Sequence, residues 1–451
     1  MRASWLIAIV VAMGPAPLLA AQDDGRVPSG DVVRIAHSAP PTAEERRVAV
    51  LRVLDAVTLK RDRLVAALAH LDHALAAVVV DDAFHEYAEA VGRAREQLLA
   101  TYFVDEGGVV RSSTKPNAEL LDIAETFGRA LREATEKLVK DLGVAGAAAE
   151  ISPAQIEADV LRGVAASALQ GALEGSFDPG HPGYDALRGF AEARRRDPLI
   201  AGAAERAKSD PAVVASLGAA VASYREQART LGTRCLARAG RLSFGTLVTE
   251  DPSRPPMPEF DKLREEYAAD QREWRSINND LADAIEQYLR SAGDEAPAAA
   301  WRLQFYAVAA TRAVPSVSWA QMVIDSAGAA GVSDEEMKGM RDVMLASLPE
   351  RAARAKAVVH EYERWEAQAR AAKKPVMMTA PTDALLTADD KRAATDKAVR
   401  DRVLACVRSG LVKSDLDAVK VPAGAGQPMW RQIADERVRR ANQATSKESQ
   451  P

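Results

Sequence analysis

Two histidines one helical turn apart are the metal-binding candidates of this sequence. His70 and His73 are spaced i, i+3, so a helix would place both imidazole rings on one face, and imidazole nitrogen is a common zinc ligand. A returning helix could add His85 or Glu89 as a third ligand. The apolar pattern of the segment, however, places the neighbouring leucines in the core and both histidines on the outer side. We therefore expect a surface pair and no resident metal, with adventitious zinc or copper binding as the alternative.

The two cysteines of the chain are Cys235 and Cys406. In an oxidising compartment such a pair favours a disulfide. The bond would close a loop of roughly 170 residues and stabilise the fold by on the order of 4–5 kcal/mol in the loop-entropy description. Each cysteine also lies in an apolar helical stretch, where a free thiol packs as a small hydrophobic side chain. The sequence leaves both alternatives open.

Two charged residues, Arg61 and Asp270, interrupt otherwise apolar helical stripes. A charge buried in a helix seam is costly unless it is paired. We therefore expect each residue to have an oppositely charged partner, or to lie at a partly exposed edge, and to fix the register of the packed helices. A functional polar site inside a helical bundle is the alternative.

No stretch of the sequence matches a catalytic or cofactor-binding motif. The chain contains no GxSxG, no HExxH, no CxxC and no glycine-rich phosphate loop. Segments that begin with His-Glu at His85 and His360 lack the second histidine that a zinc site requires. We expect no catalytic residue and no cofactor, and the alternative is an enzyme with an unrecognised helical active site.

The elements that must position these residues are predicted to be helices throughout. Apolar residues recur in alternating steps of three and four, the period of an amphipathic helix with a heptad-like, coiled-coil seam. The stripes cover residues 50–78, 84–98, 120–138 and 260–288. Asp81 and Asp82 separate the first two stripes and indicate the turn of a helical hairpin, and Gly143 indicates the end of the third helix. The pattern predicts an all-α fold of long antiparallel helical hairpins or bundles.

Further helices are predicted from their start and stop signals. They cover residues 152–175, 210–238, 297–313, 333–372, 383–410 and 428–442. No alternating apolar stretch is long enough to indicate a sheet.

Four segments carry a capping-box signal, in which a hydroxyl side chain precedes a glutamate or glutamine by three residues. They begin at Thr42, Ser152, Ser333 and Thr387, and the last is a shortened variant that ends in aspartate. These segments loosely resemble the LTxxQ motif of periplasmic envelope-stress chaperones, although none contains Leu-Thr-x-x-Gln in full. That family consists of small, elongated helical proteins that hold unfolded clients, so the resemblance implies a holdase-like function.

Three methionines are spaced i, i+3, i+7 on one predicted helix face, at Met337, Met340 and Met344. Methionine adapts to varied apolar surfaces, which would suit a chaperone that binds unrelated clients. We expect these side chains to fill the protein's own core, with the client-binding surface as the alternative.

The first 21 residues have the pattern of a secretory signal peptide. A basic start at Arg2 precedes an apolar run from Trp5 to Met13, and small residues follow at the expected cleavage site, after Ala20 or Ala21. The run is shorter than the ~20 apolar residues of a membrane span, and an uncleaved anchor is the alternative. We expect an exported bacterial protein, periplasmic or extracellular, with no integral membrane segment after cleavage.

Length and composition predict two helical domains, because the 451 residues, about 430 after removal of the predicted signal peptide, exceed what one hydrophobic core usually serves. We expect an N-terminal domain over 42–245, a proline-rich linker over 246–258, a C-terminal domain over 259–442 and a polar tail over 443–451. The net charge of -5 creates no field that attracts nucleic acid. The sequence thus predicts a non-catalytic protein that binds or scaffolds protein partners in the cell envelope, in an oligomeric state left open. A holdase-like chaperone and an enzyme are the alternatives.

Overall fold

Helices carry nearly all of the described chain, and the all-α fold class is confirmed. The computed structural model describes residues 42–68, 77–107, 109–147, 150–169, 184–250, 258–311, 313–315, 318–372, 379–419, 428, 430–432, 434–436 and 439. The predicted signal peptide over 1–21, the pair His70 and His73, and the polar tail over 443–451 lie outside these ranges.

Fourteen helices and one β-hairpin make up the described part of the chain. The helices are α1 (Ala43–Val57), α2 (Arg61–Leu68), α3 (Ala77–Tyr102), α4 (Asn117–Ala147), α5 (Pro153–Ala168), α6 (Ala186–Arg196), α7 (Pro198–Ala207), α8 (Pro211–Glu250), α9 (Pro258–Arg290), α10 (Glu295–Ala309), α11 (Trp319–Ala327), α12 (Asp334–Ala371), α13 (Asp383–Ala405) and α14 (Gly410–Asp417). The strands β1 (Phe103–Glu106) and β2 (Val109–Ser112) pair antiparallel. The sequence did not predict them, because strands of four residues are too short to show a period of two.

The first apolar stripe is divided among separate helices, and the prediction of one unbroken helix is wrong. α1 ends at Val57 and α2 begins at Arg61. Between them Leu59 is buried, and its backbone N–H donates to the hydroxyl of Tyr87, at 3.0 Å, on α3. A tertiary hydrogen bond thus takes the donor that a continuous helix would use.

The predicted turn at Asp81 and Asp82 is also wrong, because α3 continues through both residues. Charged residues on an outward-facing side do not end a helix when the flanking apolar positions keep their packing. Here the flanking Val80 and Ala83 are buried, while Asp82 is exposed.

α4 confirms the third stripe and corrects its end. The apolar residues predicted to face the core are buried, namely Leu120, Ala124, Phe127, Leu131, Ala134 and Leu138. The helix continues past Gly143 to Ala147, and Gly143 is itself buried. The packing of this last turn, including buried Leu142 and Gly146, outweighs the low helix propensity of Gly143.

α8 is the central helix, and it packs against α1, α4, α5 and α9. It begins where predicted, at Asp210, whose carboxylate accepts a hydrogen bond from the backbone N–H of Ala212 at 2.9 Å. It ends at Glu250 rather than near Arg238, so the first residues of the predicted linker are helical. Residues 251–257 lie outside the described ranges.

Two glycines set how closely other helices approach α8. A Cβ at Gly232 would lie closer than 3.0 Å to the backbone of Leu161 on α5, and one at Gly240 closer than 3.0 Å to the backbone of Ala124 on α4. Backbone atoms cannot move aside as a flexible side chain can. Both helix crossings therefore require glycine.

Buried apolar side chains form two clusters in the described chain. The larger one runs from Val50 to Trp430 and draws on helices from both sides of 246–258. The smaller one lies among α11, α12, α13 and α14. α8 and α9 pack directly against each other, and the division into two domains at 246–258 stays a prediction.

The methionines of α12 belong to the smaller cluster. Met340 and Met344 are buried, and Met337 is partly buried and packs against the cluster. The expectation that these side chains fill the core is therefore confirmed.

Two of the four predicted capping boxes are present. Those that begin at Thr42 and Ser333 have both reciprocal hydrogen bonds. Ser152 is the residue before α5, but its side chain makes no capping hydrogen bond. The box at Thr387 is wrong, because Thr382 caps α13 and Thr387 lies inside that helix.

We expect Gly240→Ala to lower the free energy of unfolding by about 2–3 kcal/mol, since overpacking against backbone forces the helices apart. Gly218→Ala is the matched control on the same helix, because a Cβ there meets no atom within 4 Å. That control should gain about 0.5–1 kcal/mol from helix propensity. Chemical denaturation of both variants measures the difference, and equal effects would contradict the close approach of α4 and α8.

We expect part of the acid sensitivity of the fold to come from Glu336. Its carboxylate accepts hydrogen bonds from Ser333 and from the backbone N–H of Arg408, the latter at 2.6 Å, and these lower its pKa to about 2. The contribution to stability is complete above the ordinary pKa of 4.5 and is lost as the pH falls toward about 2. In Glu336→Gln the free energy of unfolding, measured by urea denaturation at several pH values, should fall less between pH 4.5 and about 2 than in the wild type. The control is Glu133→Gln, at an exposed position of α4, which should follow the wild-type curve.

Candidate functional site

Arg61, the first charged residue predicted to interrupt a stripe, has a partner and lies at an exposed edge. Its Nε donates to Oδ1 of Asp81 at 2.8 Å, and its side chain is 56% exposed. The pair joins the start of α2 to α3. Arg61 is thus placed as a structural contact on the surface.

Asp270, the second such residue, lies inside the seam between α8 and α9. Its side chain is 3% exposed, and its carboxylate forms ion pairs with Arg234, at 3.1 Å, and with Arg238. Burial raises the pKa of the Asp270 carboxyl, and the guanidinium groups of Arg238 and Arg234 oppose that shift. The two ion pairs fix the register of α8 against α9.

The two cysteines are free in the structure, which is the second of the two alternatives that the sequence left open. Cys235 is buried in the larger apolar cluster, where desolvation raises the pKa of its thiol to about 12. Cys406 packs against the smaller cluster, and its thiol lies 3.5 Å from the carbonyl oxygen of Arg402. Each thiol therefore packs in a different core.

In the described ranges no group of three histidine, cysteine, aspartate or glutamate side chains is arranged to hold a metal ion. His85, which was considered as a third ligand, lies on the exposed face of α3, with Nε2 3.3 Å from Oε1 of Glu89. The pair His70 and His73 lies outside the described residues, so metal binding there stays untested.

A fully buried guanidinium, that of Arg162 on α5, forms the centre of a polar network that the sequence reading did not single out. It donates to the carbonyl oxygen of Ala67 at 2.6 Å and to the carboxylate of Asp185, and it lies 3.2 Å from Asp159. Arg225 of α8 lies 3.4 Å from the same Asp159 carboxylate. Two carboxylates and two guanidinium groups therefore neutralise one another inside the protein.

Neutral donors and acceptors complete this network. Asn278 of α9 accepts from the backbone N–H of Ala186 at 2.7 Å, and its side-chain oxygen lies 3.0 Å from the hydroxyl of Tyr224. The same hydroxyl lies 3.2 Å from Asp185, the N-cap of α6. Because these ion pairs and hydrogen bonds run between different helices, the network acts as a structural connection between α2, α5, α6, α8 and α9.

An open groove lined mainly by α10 and α12, with further residues from α7, α11 and α13, is the candidate binding site. We call it the α10–α12 groove, and its volume is about 440 Å³. Its lining residues are Asp197, Leu199, Ala300, Leu303, Gln304, Tyr306, Ala307, Val314, Pro315, Ser318, Gln321, Met344, Leu345, Leu348, Arg351, Arg354, Ala355, Arg392, Thr395 and Asp396. A volume of this size is typical of ligand-binding clefts.

Arg351 is the unusual residue of the groove. Its side chain is only 13% exposed, and within the described chain its ion-pair contact is with Oδ1 of Asp396, at 3.8 Å. That carboxylate already accepts hydrogen bonds from Ser318 Oγ at 2.7 Å and from the backbone N–H of Trp319 at 3.1 Å. Burial lowers the pKa of the Arg351 guanidinium, which Asp396 opposes, and an arginine still stays protonated.

Other polar groups of the groove have closer partners. Arg392 donates to Asp389 at 2.8 Å, and Gln304 donates to Asp197 at 2.8 Å. Burial raises the pKa of Tyr306 to about 12, so its hydroxyl is neutral at pH 7. The groove therefore presents a cation and apolar walls to a ligand.

Apolar side chains at the edge of the groove are exposed. Leu345 lines the groove and is 44% exposed, and Trp319, which follows the lining residue Ser318, is 41% exposed. A second depression, of about 490 Å³, lies between α12 and α13 and shares Arg354 with the groove.

A signal for Arg351 was present in the sequence. The buried or partly buried positions of α12 follow steps of three and four, at residues 340, 344, 347, 351, 355, 358, 362, 365 and 369. Arg351 is the charged member of that stripe, as Asp270 is of the stripe in α9. The criterion that selected Arg61 and Asp270 would have selected it too.

No family model, no curated protein and no solved structure matches this chain in sequence or fold. Among the described residues, no helix combines the length and the apolar character that crossing a membrane requires.

We expect Arg162→Met to lower the free energy of unfolding by about 3–5 kcal/mol, because it leaves buried carboxylates without their counter-charge. The control is Arg61→Met, which removes one partner of an exposed pair and should cost less than about 1 kcal/mol. Urea denaturation of both variants at neutral pH provides the measurement. Similar losses in the two variants would show that the buried network does not hold the helices together.

Proposed function

We propose that this chain is an exported, non-catalytic helical protein that binds a partner protein in the cell envelope through the α10–α12 groove. The observation that carries the proposal is the combination of apolar walls, exposed apolar residues and a nearly buried arginine around one depression. Protein interfaces commonly combine an apolar centre with arginine anchors. A surface with these features supports the binding of a partner protein.

The proposed location rests on the sequence of residues 1–21. Their basic start, apolar run and small residues are typical of a secretory signal peptide. Because envelope proteins meet their partners after export, the test of function belongs in the envelope of the host.

Of the two observations that favoured the holdase alternative, the methionine face does not support it. Met340 and Met344 are buried in the smaller apolar cluster, so they do not form an adaptable surface for clients. One of the four capping segments lies inside a helix, away from its start. We therefore keep this alternative only as an outcome of the test below.

We expect a photo-reactive amino acid at Leu345 to crosslink one dominant partner in the envelope, at a constant ratio to the protein. Leu345 lines the groove and is exposed, so the change should leave the fold intact. The matched control is the same group at Val144 of α4, which is 70% exposed and does not line the groove. Mass spectrometry of the crosslinked species identifies the products.

Identical products from the two positions would contradict a binding site in the groove. A broad spread of immature exported proteins from Leu345 would contradict a single partner and support the holdase alternative. Delayed aggregation of an unrelated unfolded protein at sub-stoichiometric amounts of this chain would support that second outcome independently.

A further inference from the structure

The guanidinium of Arg351 has hydrogen-bonding capacity that the described chain does not use. Its nearest carboxylate oxygen, on Asp396, is 3.8 Å away, which is beyond hydrogen-bond distance. A guanidinium has five N–H donors in a planar fork that matches a carboxylate. The Arg351 guanidinium thus has N–H donors that no carboxylate of the described chain accepts from.

The remaining charges of the groove do not complete it. Asp396 is held by Ser318 and by the backbone of Trp319, at the start of α11. Asp197 accepts hydrogen bonds from Leu199 at 3.0 Å and from Gln304 at 2.8 Å. Both carboxylates of the groove are therefore committed to the protein's own helices, and Arg351 is left for a ligand.

The shape of the surface favours a peptide segment over a small acid. The groove, of about 440 Å³, and the second depression, of about 490 Å³, share Arg354 as a lining residue, and the groove alone offers more room than one carboxylate and a short stem would fill. Leu345 and Leu348 provide apolar contacts near Arg351 on the same helix. A surface that offers both a guanidinium and apolar side chains suits a peptide that carries both acidic and apolar residues.

We propose that the α10–α12 groove takes an acidic segment of the partner protein, in which an Asp or Glu carboxylate pairs with Arg351 and neighbouring apolar residues contact Leu345 and Leu348. This inference rests on the proposed function, since it names the chemistry of the partner. A bidentate carboxylate in this poorly solvated position restores the pairing that Asp396 does not supply.

The test measures binding of a fluorescein-labelled peptide, in which glutamates alternate with leucine and glycine, to the purified full chain by fluorescence anisotropy. We expect the glutamine counterpart of this peptide to bind at least about tenfold more weakly, because a charge-assisted pair is lost. Arg351→Gln should weaken binding of the acidic peptide by about tenfold or more for the same reason. The matched control is Arg341→Gln, at an exposed position of α12 outside the groove, which should leave binding unchanged.

A second variant keeps the inference testable if Arg351→Gln fails to fold. Leu345→Glu changes an exposed residue and adds a negative charge to the lining of the groove, so it should weaken binding of the acidic peptide while circular dichroism and the melting temperature stay close to those of the wild type. Arg351→Lys keeps the charge but not the planar fork, and it should give an intermediate affinity.

Equal binding of the acidic and glutamine peptides would overturn the inference, as would equal affinities of Arg351→Gln and Arg341→Gln. Displacement of the peptide by free glutarate, at concentrations no higher than those of the peptide, would overturn the choice of a peptide. A partner crosslinked at Leu345 equally well in wild type and in Arg351→Gln would overturn the inference and leave the proposed function intact. Arg351-dependent binding of the peptide without any envelope partner would overturn the proposed function. It would leave intact the conclusion that the groove binds acidic peptide through Arg351.

Discussion

A guanidinium without access to solvent, that of Arg162, is the constraint on which the helix arrangement depends. Its contacts reach the last turn of α2, the start of α6 and, through Asp159 and Arg225, the central helix α8. Removing a partner of a buried charge lowers the stability of the fold by several kcal/mol. Apolar faces alone would tolerate sliding by a fraction of a turn, whereas directional hydrogen bonds do not. The network therefore selects one arrangement among those that the apolar stripes permit.

Arginine–carboxylate pairs repeat this principle from helix to helix. Arg302 of α10 binds Glu286 of α9, and Arg275 of α9 lies 2.6 Å from Glu366 of α12. Arg351 lies where this series passes from the larger apolar cluster to the smaller one, and there the pairing is incomplete. An arginine that is fully paired with carboxylates fixes the packing of two helices. An arginine that is not fully paired, such as Arg351, is available to bind a ligand.

The sequence predicted the helices well because each stripe, such as that of α4 or α9, is a local pattern that burial of one face requires. It failed at positions that tertiary contacts decide. The break between α1 and α2 depends on the hydroxyl of Tyr87, and the continuation of α3 through Asp81 depends on its buried neighbours. Asp270 was found because a charge in a stripe is visible locally. The groove was not, since its walls on α7, α10, α12 and α13 are far apart in the chain and meet only in the fold.

The position of α8 in the chain sets an order of events during synthesis. α1, α4 and α5 all precede the helix that covers them, so the faces that meet Gly232 and Gly240 stay open until the ribosome has made residue 250. The end of α8 follows the end of α5 by about eighty residues, an interval of about 4–16 s at translation rates of about 5–20 residues per second. During that time α1, α4 and α5 lack the helix that covers them, and the apolar faces that α8 will bury are exposed.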